Sequence, residues 1–331
     1  MPRQSSASRD APFLCYLDEL LEELQKSTIK ALKDFDAEAI HDARVATRRL
    51  KAALDLLQFV LSDDHRKPLA KALKKLRKRQ GPLRDLDVMI EHLGELSSHP
   101  VHGPAANWLR DRLIHEREEA REKARKDAAP ADVLAKIGAW WAVREEIVEA
   151  REAVDSLLAE SLHLQLDAFA ERADRIGSAD GGNAGDPHEL RIAGKLLRYT
   201  LELAQAQGHK LPTSVLRGFK KMQEALGNWH DYVVLVQCAM RTSIDEAVAY
   251  HDLEMQERLL DLCRMFMRRS ARELANFSKQ WQKRGTEVAQ TIREKFPLTR
   301  PITEPQTGPG PSGSGDTPAP VALPPDVAST A

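Results

Sequence analysis

Apolar residues recur at helical spacing along most of the chain, and this pattern predicts an all-α protein. Leu14, Leu17, Leu21 and Leu24, for example, repeat at intervals that place them on one helix face. The pattern predicts helices over 12–33, 41–61, 66–80, 83–97, 103–128, 132–175, 188–206, 211–226, 228–243 and 246–284. Breaks are predicted where proline, glycine or short polar runs interrupt it, at 34–36, 68, 81–82, 100–104 and 177–187.

One stretch of the chain occurs twice. Residues 41–51 read HDARVATRRLK and residues 188–198 read HELRIAGKLLR, so both fit H-x-x-R-[VI]-A-x-[RK]-x-L-[KR] at an offset of 147 residues. A second match follows at an offset of 146, in which Lys74, Lys75, Gly81 and Asp85 correspond to Lys220, Lys221, Gly227 and Asp231. Two matches in the same order at nearly equal offsets predict an internal duplication.

The duplication divides the chain into four predicted segments. Residues 1–9 are polar and predicted to be flexible, 10–130 form the first helical half, 131–295 form the second, and 296–331 form a disordered tail. The tail holds nine of the 18 prolines together with Gly, Ser and Thr. Such a composition buries too little apolar surface to offset the entropy lost on ordering.

The net charge of −1 conceals strong segregation of charge along the chain. Residues 41–84 contain 13 Lys and Arg against four Asp and Glu, whereas residues 10–38 contain three against eight. A basic block of this kind indicates an anionic partner more than the overall balance does. Aromatic residues make up only 5% of the chain, which also favours helices over sheets.

Each copy of the repeated stretch places one histidine and three cations on one face of a helix. At about 100° per residue, His41, Arg44, Arg48 and Lys51 fall within a sector of about 80°. The second copy places its four residues at the same angles: His188, Arg191, Lys195 and Arg198. We name these two sets the first and second basic stripes.

Apolar residues flank both stripes, which argues against a plain solvated surface. The flanking residues are Val45, Ala52 and Leu56, with Leu50, Leu54 and Leu57, in the first copy, and Ile192, Tyr199 and Leu203, with Leu190, Leu197 and Leu201, in the second. A helix packed on both flanks is expected to turn its stripe into a groove or pore between helices. Clustered cations are costly to desolvate, and Asp55 and Glu202 alone are too few to neutralise them, so we expect an anion there.

The helix after each stripe supplies candidates of second rank. Lys71 and Lys74 in the first copy, and Arg217 and Lys220 in the second, repeat between the halves and could extend the anion site. A row of lysines opposite an apolar face is also what an ordinary surface helix shows. These four residues are therefore weaker candidates than the stripes.

The duplicated stripes, each followed by a basic helix and then by Arg84-Asp85-Leu86-Asp87 or Trp229-His230-Asp231, resemble the CHAD (conserved histidine α-helical domain) family over roughly residues 10–295. The resemblance implies two four-helix-type bundles related by a pseudo-twofold axis around a central basic groove. It implies binding of inorganic polyphosphate by the eight stripe residues, no cofactor, and an association with polyphosphate granules. The second half departs from the first where Arg84 becomes His230 and Lys78 becomes Glu224, which puts symmetric use of the two halves in doubt.

Two other classes of function stay open at this point. A single-stranded nucleic-acid-binding protein would use the same stripes, although only Phe59, Tyr199, Phe219 and Trp229 could serve as stacking platforms in the basic segments. The His41-Asp42 and His230-Asp231 pairs are also found in metal-dependent phosphohydrolases, but the further ligands of a metal site are not evident. We therefore expect a binding protein rather than an enzyme. Each stripe histidine either contacts the ligand or serves helix packing.

Three scattered cysteines, Cys15, Cys238 and Cys263, lack metal-ligand spacing and indicate ordinary thiols in a reducing compartment. The first residues lack the apolar run of a secretory signal, and no run of about 18 apolar residues predicts a membrane span. The expected location is the cytoplasm, with no membrane contact.

Overall fold

The computed structural model describes residues 12–126, 134–135, 137–177 and 185–298, and the predicted all-α fold is confirmed over these residues, which contain no strand. The α-helices are α1 (Pro12–Lys33), α2 (Ala37–Leu56), α3 (Asp63–Gly94), α4 (Gly103–Lys126), α5 (Trp140–Glu149), α6 (Val154–Gly177), α7 (Pro187–Ala206), α8 (Thr213–Ser243), α9 (Glu246–Ala249) and α10 (Leu253–Lys295). A short 3₁₀ turn, Arg151–Ala153, joins α5 to α6.

The predicted break at 34–36 is confirmed, and Phe35 shows how it is made. Phe35 has φ of 53°, in the left-handed region that L-residues rarely adopt. Its ring is buried in a small cluster with Ala31, Ala39, Ile40 and Leu83, and its carbonyl accepts a hydrogen bond of 2.9 Å from the Arg117 guanidinium. Asp36 then caps α2, because its carboxylate accepts from the Ala39 N–H at 2.9 Å.

The predicted breaks at Pro68 and at 81–82 are wrong, since α3 runs unbroken through both prolines. A proline inside a helix removes one backbone hydrogen bond and costs about 3 kcal/mol. Burial of residues after Pro68 and on both sides of Pro82 offsets that cost: Leu69, Leu73, Leu76, Leu83 and Leu93.

The second half departs from its predicted elements in the same way. Helix α8 continues through Gly227, where a break was predicted, because Met222, Leu226 and Leu235 bury one face on both sides. The single helix predicted over 132–175 is divided at 138–139 and again at Arg151–Ala153. The single helix predicted over 246–284 is divided into α9 and α10, and α10 runs to Lys295.

The two halves of the sequence share their hydrophobic cores. One cluster unites leucines of α1 and α2 with those of α6 and α7 and with the first half of α8. A second cluster joins the last turns of α3 and helix α4 to the end of α8 and the start of α10. Since both cores draw on both halves, neither half buries its apolar surface alone.

The residue that follows α10, Phe296, packs into the larger core. Phe296 is buried, its ring meets the His209 ring edge-on at 5.0 Å between centroids, and its carbonyl lies 2.7 Å from His163 Nε2. The predicted flexible segment 1–9, and residues 299–331 of the predicted tail, lie outside the described residues. No helix within the described ranges is long and apolar enough to cross a membrane.

Phe169 of α6 occupies the centre of the larger core, so its truncation should be costly. Its ring makes edge-on contacts with Phe219, Phe277 and Trp281 at 5.4–6.2 Å. We expect Phe169→Ala to lower the free energy of unfolding by about 3–5 kcal/mol, measured by chemical denaturation. The matched control is Leu164→Ala on the same helix, where the side chain is 74% exposed and a change of less than about 0.5 kcal/mol is expected. Equal losses in both variants would contradict this assignment of the core.

Candidate functional site

Helices α2 and α7 carry the two basic stripes and pack against each other. Their inner members interact electrostatically across this contact: Lys195 with Arg44 and Arg48, and Arg191 with Arg48. The structure therefore brings together two residues from each predicted stripe. We name Arg44, Arg48, Arg191 and Lys195 the central cationic cluster.

The outer cations of the stripes are neutralised, unlike the central ones. Lys51 pairs with Asp55 at 2.5 Å and Arg198 pairs with Glu202 at 2.7 Å, each one turn along its own helix. Glu202 also accepts from Arg49 of α2 at 2.8 Å, which clamps α2 to α7 at this end. Asp55 and Glu202 therefore form their ion pairs outside the central cationic cluster.

Arg44 is held by the backbone of α3. Its Nη1 donates to the Arg77 carbonyl at 2.6 Å, and a Cβ at Gly81 would lie 3.6 Å from the same nitrogen. The guanidinium of Arg44 therefore lies in van der Waals range of the Gly81 position. Gly227, its counterpart in α8, has no atom within 4 Å of the equivalent position. The glycine that was expected to end a helix instead borders the site.

The central cationic cluster is half-buried, and burial disfavours the charged form of its side chains. Burial, with repulsion from Arg48, lowers the pKa of the Arg44 guanidinium. The pKa of Lys195 falls from 10.5 to about 7, first because of burial and then because of the charges of Arg191 and Arg48. The Nε of Arg191 is buried with no hydrogen-bond partner among the described residues. A site with unsatisfied positive charge of this kind is suited to an anion.

Asp231 of α8 partly compensates the cluster, and Asp85 of α3 also interacts with Arg44 and Arg191. Asp231 lies 3.3 Å from His230 Nδ1 and 3.8 Å from His92 Nε2, and it interacts with Arg191. Burial opposes its ionisation, but the two histidines and Arg191 outweigh burial and hold the pKa of Asp231 well below its usual value. The His188 ring stacks on the His230 ring at 6.0 Å, so the start of the second stripe is tied to the same group.

Two arginines that the sequence analysis did not propose as ligands belong to the site. Arg77 is half-buried, and burial and the charge of Arg48 lower its pKa. Arg84 acts on both His41 and Arg44, and burial followed by the Arg84 charge lowers the pKa of His41. The signal was available, because residues seven apart share one helix face, but the predicted break at 81–82 separated the two arginines.

The remaining candidates lie outside this electrostatic cluster. Lys71, Lys74, Arg217 and Lys220 are exposed, and Lys220 pairs with Glu224 at 3.6 Å. None of the four forms a hydrogen bond or ion pair with the central cationic cluster as far as the chain is described. Ile192, expected to pack beside the second stripe, is 53% exposed instead. It lines an apolar surface groove with Leu164 and Leu196, because the nearest partner there is α6 rather than α2.

The protein is thus an all-helical domain in which half-buried cations lie between two helices, α2 and α7. The profile of the CHAD domain family matches residues 15–239, and the chain belongs to this family. No curated protein matches the chain in sequence.

Two solved structures share the fold. The CHAD domain from the plant Ricinus communis is 19% identical, covers 87% of this chain and 91% of its own, and superposes with a TM-score of 0.54. PptA from Streptomyces chartreusis is 18% identical, covers 82% of this chain and 98% of its own, and gives a TM-score of 0.51. At these identities the likeness concerns the fold alone.

Lys195 should cost stability at neutral pH. Because its pKa in the folded state lies below 10.5, the penalty for charging it is full below pH of about 7 and disappears as the pH rises toward 10.5. We expect Lys195→Met to raise the free energy of unfolding at pH 6.5 by about 1–2 kcal/mol, with a gain that shrinks toward pH 10. Denaturation at both pH values checks this, and a gain independent of pH would contradict the electrostatic origin.

Proposed function

We propose that this protein binds inorganic polyphosphate, with the central cationic cluster holding the phosphates in a groove between α2 and α7. The observation that carries the proposal is the shortage of carboxylates at the cluster: its four cations have only Asp231 and Asp85 among the described residues that act on them, while Asp55 and Glu202 are engaged by Lys51 and Arg198. An anion with several charges would supply the missing partners.

The chemistry of the cluster favours a phosphate polymer. Three of its four members are arginines, whose planar guanidinium can bind two phosphate oxygens at once, and Arg77 and Arg84 extend the positive surface along α3. Related members of the CHAD family bind polyphosphate, which agrees with this reading. In the proposal the protein binds without hydrolysing its ligand, requires no cofactor, and works in the cytoplasm, in association with polyphosphate granules.

The proposal includes an internal duplication of the helical fold. The repeated stretches lie on α2 and α7, and the paired Gly and Asp positions that follow lie on α3 and α8. We interpret this order as an internal duplication of a four-helix unit, with the groove near its pseudo-twofold axis. Both stripes would then border one ligand from opposite sides.

Nucleic acid is a weaker candidate because the aromatic side chains are poorly placed for stacking. Phe219 is buried and packs edge-on against Phe169, so it is not available to a base. Tyr199 and Trp229 are half-buried, and Phe59, although 82% exposed, lies beyond the last stripe residue at the end of α2. Single-strand binders depend on accessible aromatic faces.

Removal of a central arginine should weaken binding strongly. We expect Arg48→Ala and Arg191→Ala each to raise the Kd for defined-length polyphosphate about 10–100-fold by calorimetry, since each loses a charge-assisted contact of about 1.5–3 kcal/mol. Arg125→Ala, which removes one exposed arginine of α4, is the charge-matched control and should bind as the wild type does. Single-stranded DNA serves as the competing ligand. Unchanged affinity in the two cluster variants, or stronger binding of DNA, would refute the proposal.

Salt should weaken binding steeply, because a polyanion releases condensed counterions when cations replace them. With about five phosphate contacts and a slope of about 0.7 per contact, affinity should fall about 100-fold between about 50 and 200 mM salt. Calorimetry or fluorescence anisotropy across this range measures the slope. An affinity that stays flat would contradict an electrostatic groove.

A further inference from the structure

We infer that anion binding at the central cationic cluster is coupled to the uptake of a proton by Lys195, so that the protein holds its ligand more tightly as the pH falls. This inference rests on the proposed function and adds to it a regulation of the same site. It concerns the one cation of the cluster that is able to lose its charge.

The surroundings of Lys195 leave its amine without a partner. Lys195 is half-buried on α7 and forms no hydrogen bond or ion pair with any described residue. The backbone beside it is fixed, because the Gly194 carbonyl accepts from Gln223 Nε2 at 2.7 Å and Gly194 packs under the Phe169 ring. These two contacts hold the backbone of α7 in place beside the cluster.

Positive charges outnumber negative ones among the groups that act on Lys195. Arg191 lies on its own helix, Arg44 and Arg48 come from α2, and Asp231 of α8 is the opposing carboxylate. Helix α6 offers the apolar ring of Phe169 at the adjacent glycine. On α1, Tyr16 interacts with Arg49 and Glu202, two turns further along α7.

The remaining titratable side chains of the site face other groups, and among them Asp85 of α3 interacts with Arg44 and Arg191. His41 lies by Arg84, His188 stacks on His230, and His230 and His92 contact Asp231. The experiment has to separate proton uptake by any other group of the site from uptake by Lys195.

In this environment the charge of Lys195 depends on the pH and on whether an anion is bound. With a pKa of about 7, roughly half of the amine is neutral near pH 7 when no anion is present. An arginine could not respond in this way, because its guanidinium stays protonated. The corresponding position of the first stripe is Arg48, so the two copies differ in chemistry at this point and only the second one titrates.

A bound polyanion reverses the balance. Phosphate oxygens cancel the repulsion from the guanidiniums and favour the ammonium form, which raises the pKa of Lys195 above its value in the free protein. Above a pH of about 7 the free protein takes up a proton when it binds the anion, and the affinity for the anion therefore falls as the pH rises. One linked proton changes the affinity by at most about tenfold per pH unit.

The test is calorimetry with defined-length polyphosphate at pH 8, in two buffers of different ionisation enthalpy, on the full chain. The dependence of the observed heat on the buffer gives the number of protons taken up. We expect an uptake approaching one proton for the wild type, a clearly smaller uptake for Lys195→Arg, and a wild-type uptake for Lys221→Arg, an exposed lysine of α8. Protons taken up by the terminal phosphates of the ligand are common to all variants and cancel in the comparison.

A second variant is needed because the arginine of Lys195→Arg could fit the site poorly. Lys195→Gln removes the titratable charge and should bind with an affinity that changes little between pH 7 and 9, where the wild type weakens by up to about tenfold per unit. Equal proton uptake by the wild type and Lys195→Arg would assign the coupling to groups other than Lys195 and overturn the inference. Binding without proton uptake by the wild type overturns the inference alone, whereas the absence of binding overturns the proposed function as well.

Discussion

Like charges held together between α2 and α7 are the constraint on which the rest of this structure depends. At an effective dielectric constant of about 20, two unit charges about 4 Å apart repel by about 4 kcal/mol, so the cluster opposes the packing of its own helices. The opposing force is apolar: two leucines of α2, the leucine that caps its C-terminus and three leucines of α7 belong to one buried core, and they are Leu50, Leu54, Leu57, Leu190, Leu197 and Leu201. Burial of these leucines favours the packing of α2 on α7 and so opposes the repulsion within the cluster.

The distribution of carboxylates decides where the positive charge stays uncompensated. Asp55 and Glu202 sit one turn beyond the stripes and pair with the outermost cations, and Glu202 also anchors Arg49 across the interface. Further in, Asp231 is the carboxylate that acts on both Arg191 and Lys195. Ion pairs thus stabilise one end of the α2–α7 pair, while the central cationic cluster retains the positive charge that the proposed function requires.

The long helices α3 and α8 extend this arrangement to a second core. Their first halves pack beside the stripes, and their last turns meet α4 and α10 in a separate cluster. Proline and glycine at the middle of α3 were expected to end it, because these residues are unfavourable in a helix when only local preferences count. Burial on both sides of Pro82 outweighs that preference. The error had a consequence for the site, since Arg77 and Arg84 were not recognised as neighbours on one face.

The sequence by itself determined the helical class, the bounds of α1 and nearly those of α7, and the two basic stripes, because apolar period and charge spacing are local properties of the chain. It also contained the unequal pair Arg48 and Lys195. Only the tertiary structure decided which cations meet, because the contact of α2 with α7 depends on burial shared by distant segments. That contact separates Lys51 and Arg198, which are paired, from Arg44, Arg48, Arg191 and Lys195, and it places Asp231 and its histidines beside them. The reason is physical: burial and the approach of charges from other helices set the electrostatics of a site, and neither can be read from the spacing of residues along one helix.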